Sequence, residues 1–291
     1  MGPFLTIQDI GKFTSYEFET VCRTYACFAP LHDQVGVARV LTRYKMFVDV
    51  TDISLVPHLI LDGFWETPVT QCLTKIVREG DVCIDIGAHL GYFSILMSAL
   101  AGDRGKTYSI EPNPRIASLL HKTSTINHPG FFVWEGAVSN QAGTLEIFVP
   151  QEKSGDASML IRAPEDVSAL TAYRVNCLPL DQFLKELAVS RVDVIKMDAE
   201  GAEPFIFEGM DETLKFNKDL KIVMEYSPHL YTDIERFNRF LVDRFEVYRI
   251  HSGFVLDKID LVELQTYQSR KSHVDLLLLP IGYQFPEEIS N

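Results

Sequence analysis

No stretch of this 291-residue chain is apolar for long enough to cross a membrane. The longest runs, such as "VDLLLLPI" at residues 274–281, fall well short of the roughly 20 residues that a span requires. Basic clusters are missing as well. With 27 Lys and Arg against 40 Asp and Glu, the net charge is −13, which argues against a phosphate-tracking surface and so against a nucleic-acid partner. Cysteine is scarce and unpatterned: Cys22, Cys27, Cys72, Cys83 and Cys177 form no C-x-x-C pair, so zinc and thiol redox chemistry are not indicated. They read as reduced, mostly buried thiols. The start "MGPFLTIQDIGKF" lacks the basic opening and long apolar core of a secretory signal, and a cytoplasmic location is expected. Internal repeats and low-complexity tracts are absent too. The oligomeric state has no sequence signature.

What is present is an α/β alternation with enough apolar residues, 46%, to bury a sizeable core. From residue 81 the β-rich runs "VCIDI", "KTYSIE", "FFVWEGAV", "VDVIKMD", "KIVMEY", "FEVYRI" and "VDLLLLP" are mostly separated by helical patterns. That order predicts a doubly wound, mostly parallel seven-stranded sheet with helices on both faces. No helix-length pattern separates the last two runs, so the sheet is expected to finish in an antiparallel hairpin. Residues 1–65 read as an extension packed on a core domain of residues 66–291. A hairpin with a polar loop is inserted between residues 138 and 180.

The stretch "DVCIDIGAHLGYFSI" at residues 81–95 carries the first functional signal. In a doubly wound sheet the first strand-to-helix turn sits where a nucleotide-like cofactor binds, and glycines there admit a close backbone approach. Dinucleotide sites use G-x-G-x-x-G; here the turn is Gly87-Ala88-His89-Leu90-Gly91, with Asp85 just before it. A carboxylate at that point repels a pyrophosphate and favours a cationic amino group. S-adenosylmethionine has the amino group and no phosphate, so it suits the turn better than NAD. On the next strand, the apolar run of "YSIEPNP" ends in Glu111, placed to accept the two hydroxyls of a ribose. On the third, Glu135, Gly136 and Ala137 are candidates to line an adenine, while Trp134 and its neighbouring phenylalanines read as core.

The fourth strand, "VDVIKMDAEGAEPFIFEG", has the densest chemistry. Alternation cannot keep Lys196, Asp198, Glu200 and Glu203 all in the core, and three acids within six residues mark a solvent-facing rim. Asp198 and Glu200 are candidates to orient an acceptor hydroxyl or take its proton. Against this, Asp198 could simply cap the following helix and Glu203 complement its dipole. His229 is a rival general base.

These segments, "GDVCIDIGAHLGYFSI", "SIEPNP", "GAVSN" and "IKMDAEGAE", resemble the FkbM-type methyltransferase family. The resemblance implies a Rossmann-like class I methyltransferase that uses S-adenosylmethionine and methylates a hydroxyl of a small natural product or sugar. Carried over by position, Asp85, Gly87 and Gly91, with Ala88, His89 and Tyr92 in the same turn, hold the methionine end. Glu111, with Pro112 and Asn113 beside it, holds the ribose. Asp198 and Glu200 stand on the reaction side, and Glu66 in "LDGFWET" is a further candidate near the cofactor. The family commonly has asparagine where this chain has His89. Some related O-methyltransferases hold magnesium through acids at the ends of strands four and five, which here are Asp198 and Glu225; the sequence shows no third ligand, and a metal-independent site is expected. The extension and residues 150–176 would close over the acceptor. A nicotinamide-dependent oxidoreductase and a non-catalytic adenosine-binding protein stay open as alternatives.

Overall fold

A computed structural model describes residues 6–150, 170–268 and 273–285. Two helices open the chain, α1 (Ile7–Ile10) and α2 (Ser15–Tyr25), each begun by a reciprocal capping box, Thr6 with Asp9 and Thr14 with Glu17. A three-stranded antiparallel sheet follows: β1 (Phe28–Pro30), β2 (Val35–Val40) and β3 (Tyr44–Asp49). Helices α3 (Val56–Leu61) and α4 (Thr67–Ile76) lead into the main sheet.

That sheet begins with β4 (Val82–Ile86), α5 (Tyr92–Ala101), β5 (Lys106–Glu111), α6 (Pro114–Thr125) and β6 (Phe132–Glu135). The chain then makes a small separate sheet from β7 (Ala137–Val138), β8 (Gly143–Pro150) and β9 (Leu170–Leu178). β8 and β9 are the expected inserted hairpin; its tip, residues 151–169, lies outside the described residues, and with it most of the segment expected to close over an acceptor. After α7 (Leu180–Glu186) the main sheet resumes with β10 (Val194–Met197), α8 (Glu203–Glu208), α9 (Asp211–Phe216), β11 (Lys221–Tyr226), α10 (Ile234–Arg244) and β12 (Phe245–His251). It ends with β13 (Val255–Ile259), α11 (Leu261–Tyr267) and β14 (Val274–Pro280).

The strand order is β13-β12-β14-β11-β10-β4-β5-β6, parallel from β11 to β6 and antiparallel from β11 through β14 and β12 to β13. The α/β class is as expected, with eight strands in place of seven. The additional strand is "VLDKI", whose half-exposed edge pattern carries little apolar signal. β12 and β14 are antiparallel neighbours, yet β13 and the Asp260-capped α11 lie between them in sequence.

Both faces of the sheet are covered, which is why its strands read as continuous apolar runs. In β14, Leu277 and Leu279 face a cluster that includes α4, α5 and the N-terminal sheet; Leu276 and Leu278 face a second cluster built from α7 to α11. All four are fully buried, each stabilising the fold by about 1.5–3 kcal/mol relative to exposure. Helix α5 is buried at every position, sandwiched between sheet and extension. The extension is tied down by polar contacts as well: the Phe47 amide donates to Thr123 Oγ1 at 3.1 Å, and the Asn127 side chain bonds both the amide and carbonyl of Lys45.

Candidate active site

The chain leaves β4 outward to β5 and β6, then returns to place β10 on the other side of β4, so the strand order reverses between β4 and β10. Beyond the carboxyl ends of these strands lies a cavity of about 460 Å³, within the range of small-molecule sites. Its wall includes Glu66, Gly87, His89, Tyr92, Glu111, Pro112, Ala137, Asp198 and Glu200, nine of the residues singled out in the sequence. Asp85, Ala88, Gly91, Asn113, Glu135 and Gly136 are not among its lining residues.

The glycines have a packing role that the sequence reading did not foresee. A Cβ on Gly87, at φ +72°, would overlap the carbonyl oxygen of Asp198, so glycine is needed where the chain leaves the paired strands β4 and β10. Gly91, at φ +96°, begins α5, and its Cβ would strike Leu120. Chain packing thus accounts for both positions, and Gly87 also lines the cavity. Gly136 gives way to the ring of Trp134.

Asp85 also departs from expectation. Its side chain is fully buried behind the wall, accepts a hydrogen bond from Ser94 Oγ, and has an Oδ1 without a hydrogen-bond partner among the described residues. Lys196 Nζ lies 4.0 Å from that oxygen. The opposite holds for Glu111, which ends β5 facing the cavity. The His89 amide donates to its Oε2 and the Asn113 amide to its Oε1, each at 2.8 Å, so two loops fix the carboxylate from both sides. Burial pushes Glu111 up to about 7, against the pull of those donors. Burial draws His89 down to about 4, so its ring is neutral at pH 7 although Asp52, 3.9 Å away in the extension, opposes the shift.

On the other side, Asp198 follows β10, its amide donating to Ile86 O at 3.0 Å. The turn after it is tight: Glu200 and Gly201 both have positive φ, and buried Glu203 reaches back to accept from the amides of Ala199 and Gly201 at 2.7 and 3.0 Å. Glu203 is therefore a brace for this turn and not part of an exposed rim. Glu66 comes from the residue before α4, at φ +39°, and Glu225 from β11, where Ser227 Oγ donates to it at 2.8 Å. Burial, then neighbouring carboxylates, raises Glu66, Glu225 and Asp275 above the usual range. Ligand atoms of Asp198, Glu200 and Glu225 lie within 4.8 Å of one another, as do those of Glu66, Glu225 and His273, spacings that admit a divalent cation. Glu200 is thus the third oxygen donor that sequence spacing did not reveal. His229, on the turn after β11, lines the cavity too.

The sequence reading missed Lys196 as a site residue; it found the run "VDLLLLP" as a strand but not that this strand, β14, brings His273 and Asp275 to this end of the sheet. The signal for Lys196 was available: a lysine inside a strand covered on both faces must be buried, and it then requires acids close by.

Comparison with known proteins follows the same ground. The methyltransferase FkbM domain matches residues 85–250, just over half of the chain. The chain is 26% identical over 156 residues to methyltransferase sdnD of Sordaria araneosa, covering 44% of this chain and 60% of that protein. It is 28% identical over 172 residues to the 2-O-methyltransferase NoeI of Sinorhizobium fredii, covering 54% and 68%. Among solved structures, an O-methyltransferase from Bacillus cereus in complex with SAH aligns at TM-score 0.43 and 14% identity, over 73% of this chain and 80% of that one.

Proposed function

Since the chain belongs to the FkbM methyltransferase family, we propose that it transfers a methyl group from S-adenosylmethionine to a hydroxyl of a small, polar, non-anionic acceptor such as a sugar or natural product. The observation that carries this reading is the pairing of Glu111 and Asp198 across β4. One is a main-chain-anchored acid suited to a ribose, the other an acid at the opposite lip of the same cavity. The cavity also suits a cationic ligand, since its charged lining residues are acids except for Lys196 and the histidines. The 2-O-methyltransferase activity in the name of the Sinorhizobium relative supports a hydroxyl acceptor.

In this reading Glu111 takes the ribose hydroxyls, with Pro112 and Ala137 against the base and Gly87, His89 and Tyr92 towards the methionine end. Glu66 closes that end from the seam between residues 1–65 and the domain of residues 66–291. When bound there, S-adenosylmethionine would supply a methyl already activated on a positively charged sulfur, and giving it up to the acceptor oxygen would leave a neutral thioether. Asp198 or Glu200 accepts the hydroxyl proton, and the closed wall aligns the acceptor and excludes water. The methyl is already activated, so no Lewis acid is required, and turnover should survive exhaustive EDTA treatment.

Thermal-shift titration with S-adenosylmethionine, S-adenosylhomocysteine and NAD side by side tests the proposal. A ligand at a hundred times its Kd adds about 2.7 kcal/mol of stability. Upward shifts with the two adenosyl-sulfur ligands and none with NAD are expected; a shift with NAD alone would sink the reading.

A further inference from the structure

Lys196 is the one lysine or arginine lining the cavity among the described residues, and its side chain is only 6% exposed. It belongs to β10 and stands in register with Asp85 of the neighbouring parallel strand β4. Its ammonium donates to Gly87 O at 3.4 Å and to Asp198 Oδ2 at 3.3 Å, stands 4.0 Å from Asp85 Oδ1, and lies over the ring of Phe93 at 5.1 Å. Burial alone would discharge such a lysine. Asp198, Asp85 and Glu66 outweigh it and hold the ammonium charged. Asp85 in turn has, among the described residues, no hydrogen-bond partner for the oxygen that faces Lys196, so each group is the other's charge balance.

This arrangement matters because of what methyl transfer does to charge. Acids around a sulfonium stabilise the donor before reaction more than they stabilise the transition state, in which the positive charge is already leaving the sulfur. Binding spent on the ground state does not speed the chemistry. A cavity walled by acids with no counterweight would grip its donor and release its product readily, but transfer slowly.

We propose that Lys196 is a positioning residue with an electrostatic duty: it holds Asp198 at the cavity lip and, balanced against Asp85, offsets the acid field so that the charged donor is not overbound relative to its neutral product. This rests on the methyl-donor reading above. It assigns to the lysine and the buried aspartate a joint role in setting how the protein discriminates S-adenosylmethionine from S-adenosylhomocysteine.

The test needs no acceptor. Dissociation constants of both ligands are measured by calorimetry at pH 8.5 for the wild-type protein, Lys196→Met, Asp85→Asn and the double variant. Lys196→Met should shift the ratio of the two constants roughly tenfold in favour of S-adenosylmethionine, the scale of one charge felt through a protein-like dielectric. Asp85→Asn should shift it the other way, and the double variant should return near the wild-type ratio. Because the double variant leaves neither charge buried alone, it keeps the idea testable should a single variant fail to fold. Ratios within twofold of wild type in the single variants, or parallel loss of both ligands, overturn the assignment to Lys196. A wild-type protein that binds neither ligand overturns the methyl-donor reading itself, and this inference with it.

Discussion

Glu111 and Asp198 flank the same strand, one following it in β5 and the other ending β10, and both face one cavity. They are held by different means. Glu111 is clamped by two main-chain amides from two loops, so its position is part of the backbone and few side-chain changes elsewhere can move it. Asp198 is aimed by a single ammonium beneath it and shares its neighbourhood with other acids. The difference suits the division of labour proposed above. A group that recognises an invariant cofactor gains from rigidity, whereas a group that meets the acceptor can be retuned through its neighbours without disturbing the cofactor half.

Substitutions should break this symmetry in opposite ways. Asp198→Ala should lower turnover by about 10²–10⁴-fold, the range for loss of a general base, while the Kd for S-adenosylmethionine changes by about tenfold at most, the scale of one lost charge. Single-turnover assays on an acceptor found by screening polyhydroxylated compounds, beside calorimetry, separate the two effects. Comparable losses in both would end the division. Glu111→Ala should weaken S-adenosylmethionine by about 2 kcal/mol, roughly thirtyfold, since it removes charge-assisted hydrogen bonds to the ligand.

The pH dependence sharpens the same contrast. Burial raises Glu111 and Glu203 from 4.5 to about 7 in the folded protein. Each therefore binds its proton more tightly folded than unfolded. The resulting stability is complete below about pH 4.5 and is lost as pH rises through about 7. The melting temperature of the ligand-free protein should fall by several degrees between pH 5 and 8, and Glu111→Gln should flatten that decline. A curve that rises over this interval would contradict the burial of these acids. The smallest effect belongs to His89→Asn. The neutral ring meets Asp52 only at 3.9 Å, and Glu111 is held by the residue's amide rather than its side chain, so S-adenosylmethionine affinity should change less than threefold.

The alternation of strands and helices, and the acids after β5 and β10, could be read from the chain because each is local: a period, a run, a spacing. Lys196 escaped because its partners, Asp85 and Asp198, come together only when β4 and β10 pair. The glycines were found at the right positions for an incomplete reason, since the atom that excludes a Cβ at Gly87 belongs to residue 198. Glu203 illustrates the reverse error. Three acids in a short stretch suggested exposure, but a carboxylate that accepts two amides of its own turn can be buried. Strand β13 left almost no trace, because a half-exposed edge strand has neither a continuous apolar run nor clean alternation.

Strand β14 lies between β11 and β12, though it is made after both. Until residues 274–280 have been synthesised, the Ile222–Tyr226 edge of β11 and the Phe245–Arg249 edge of β12 lack the partner that joins them. A nascent chain therefore carries two open, apolar strand edges until this strand has been made, the kind of exposure that invites mispairing and chaperone capture. The sheet closes only when β14 slots home, and only then does His273 reach the margin of the cavity.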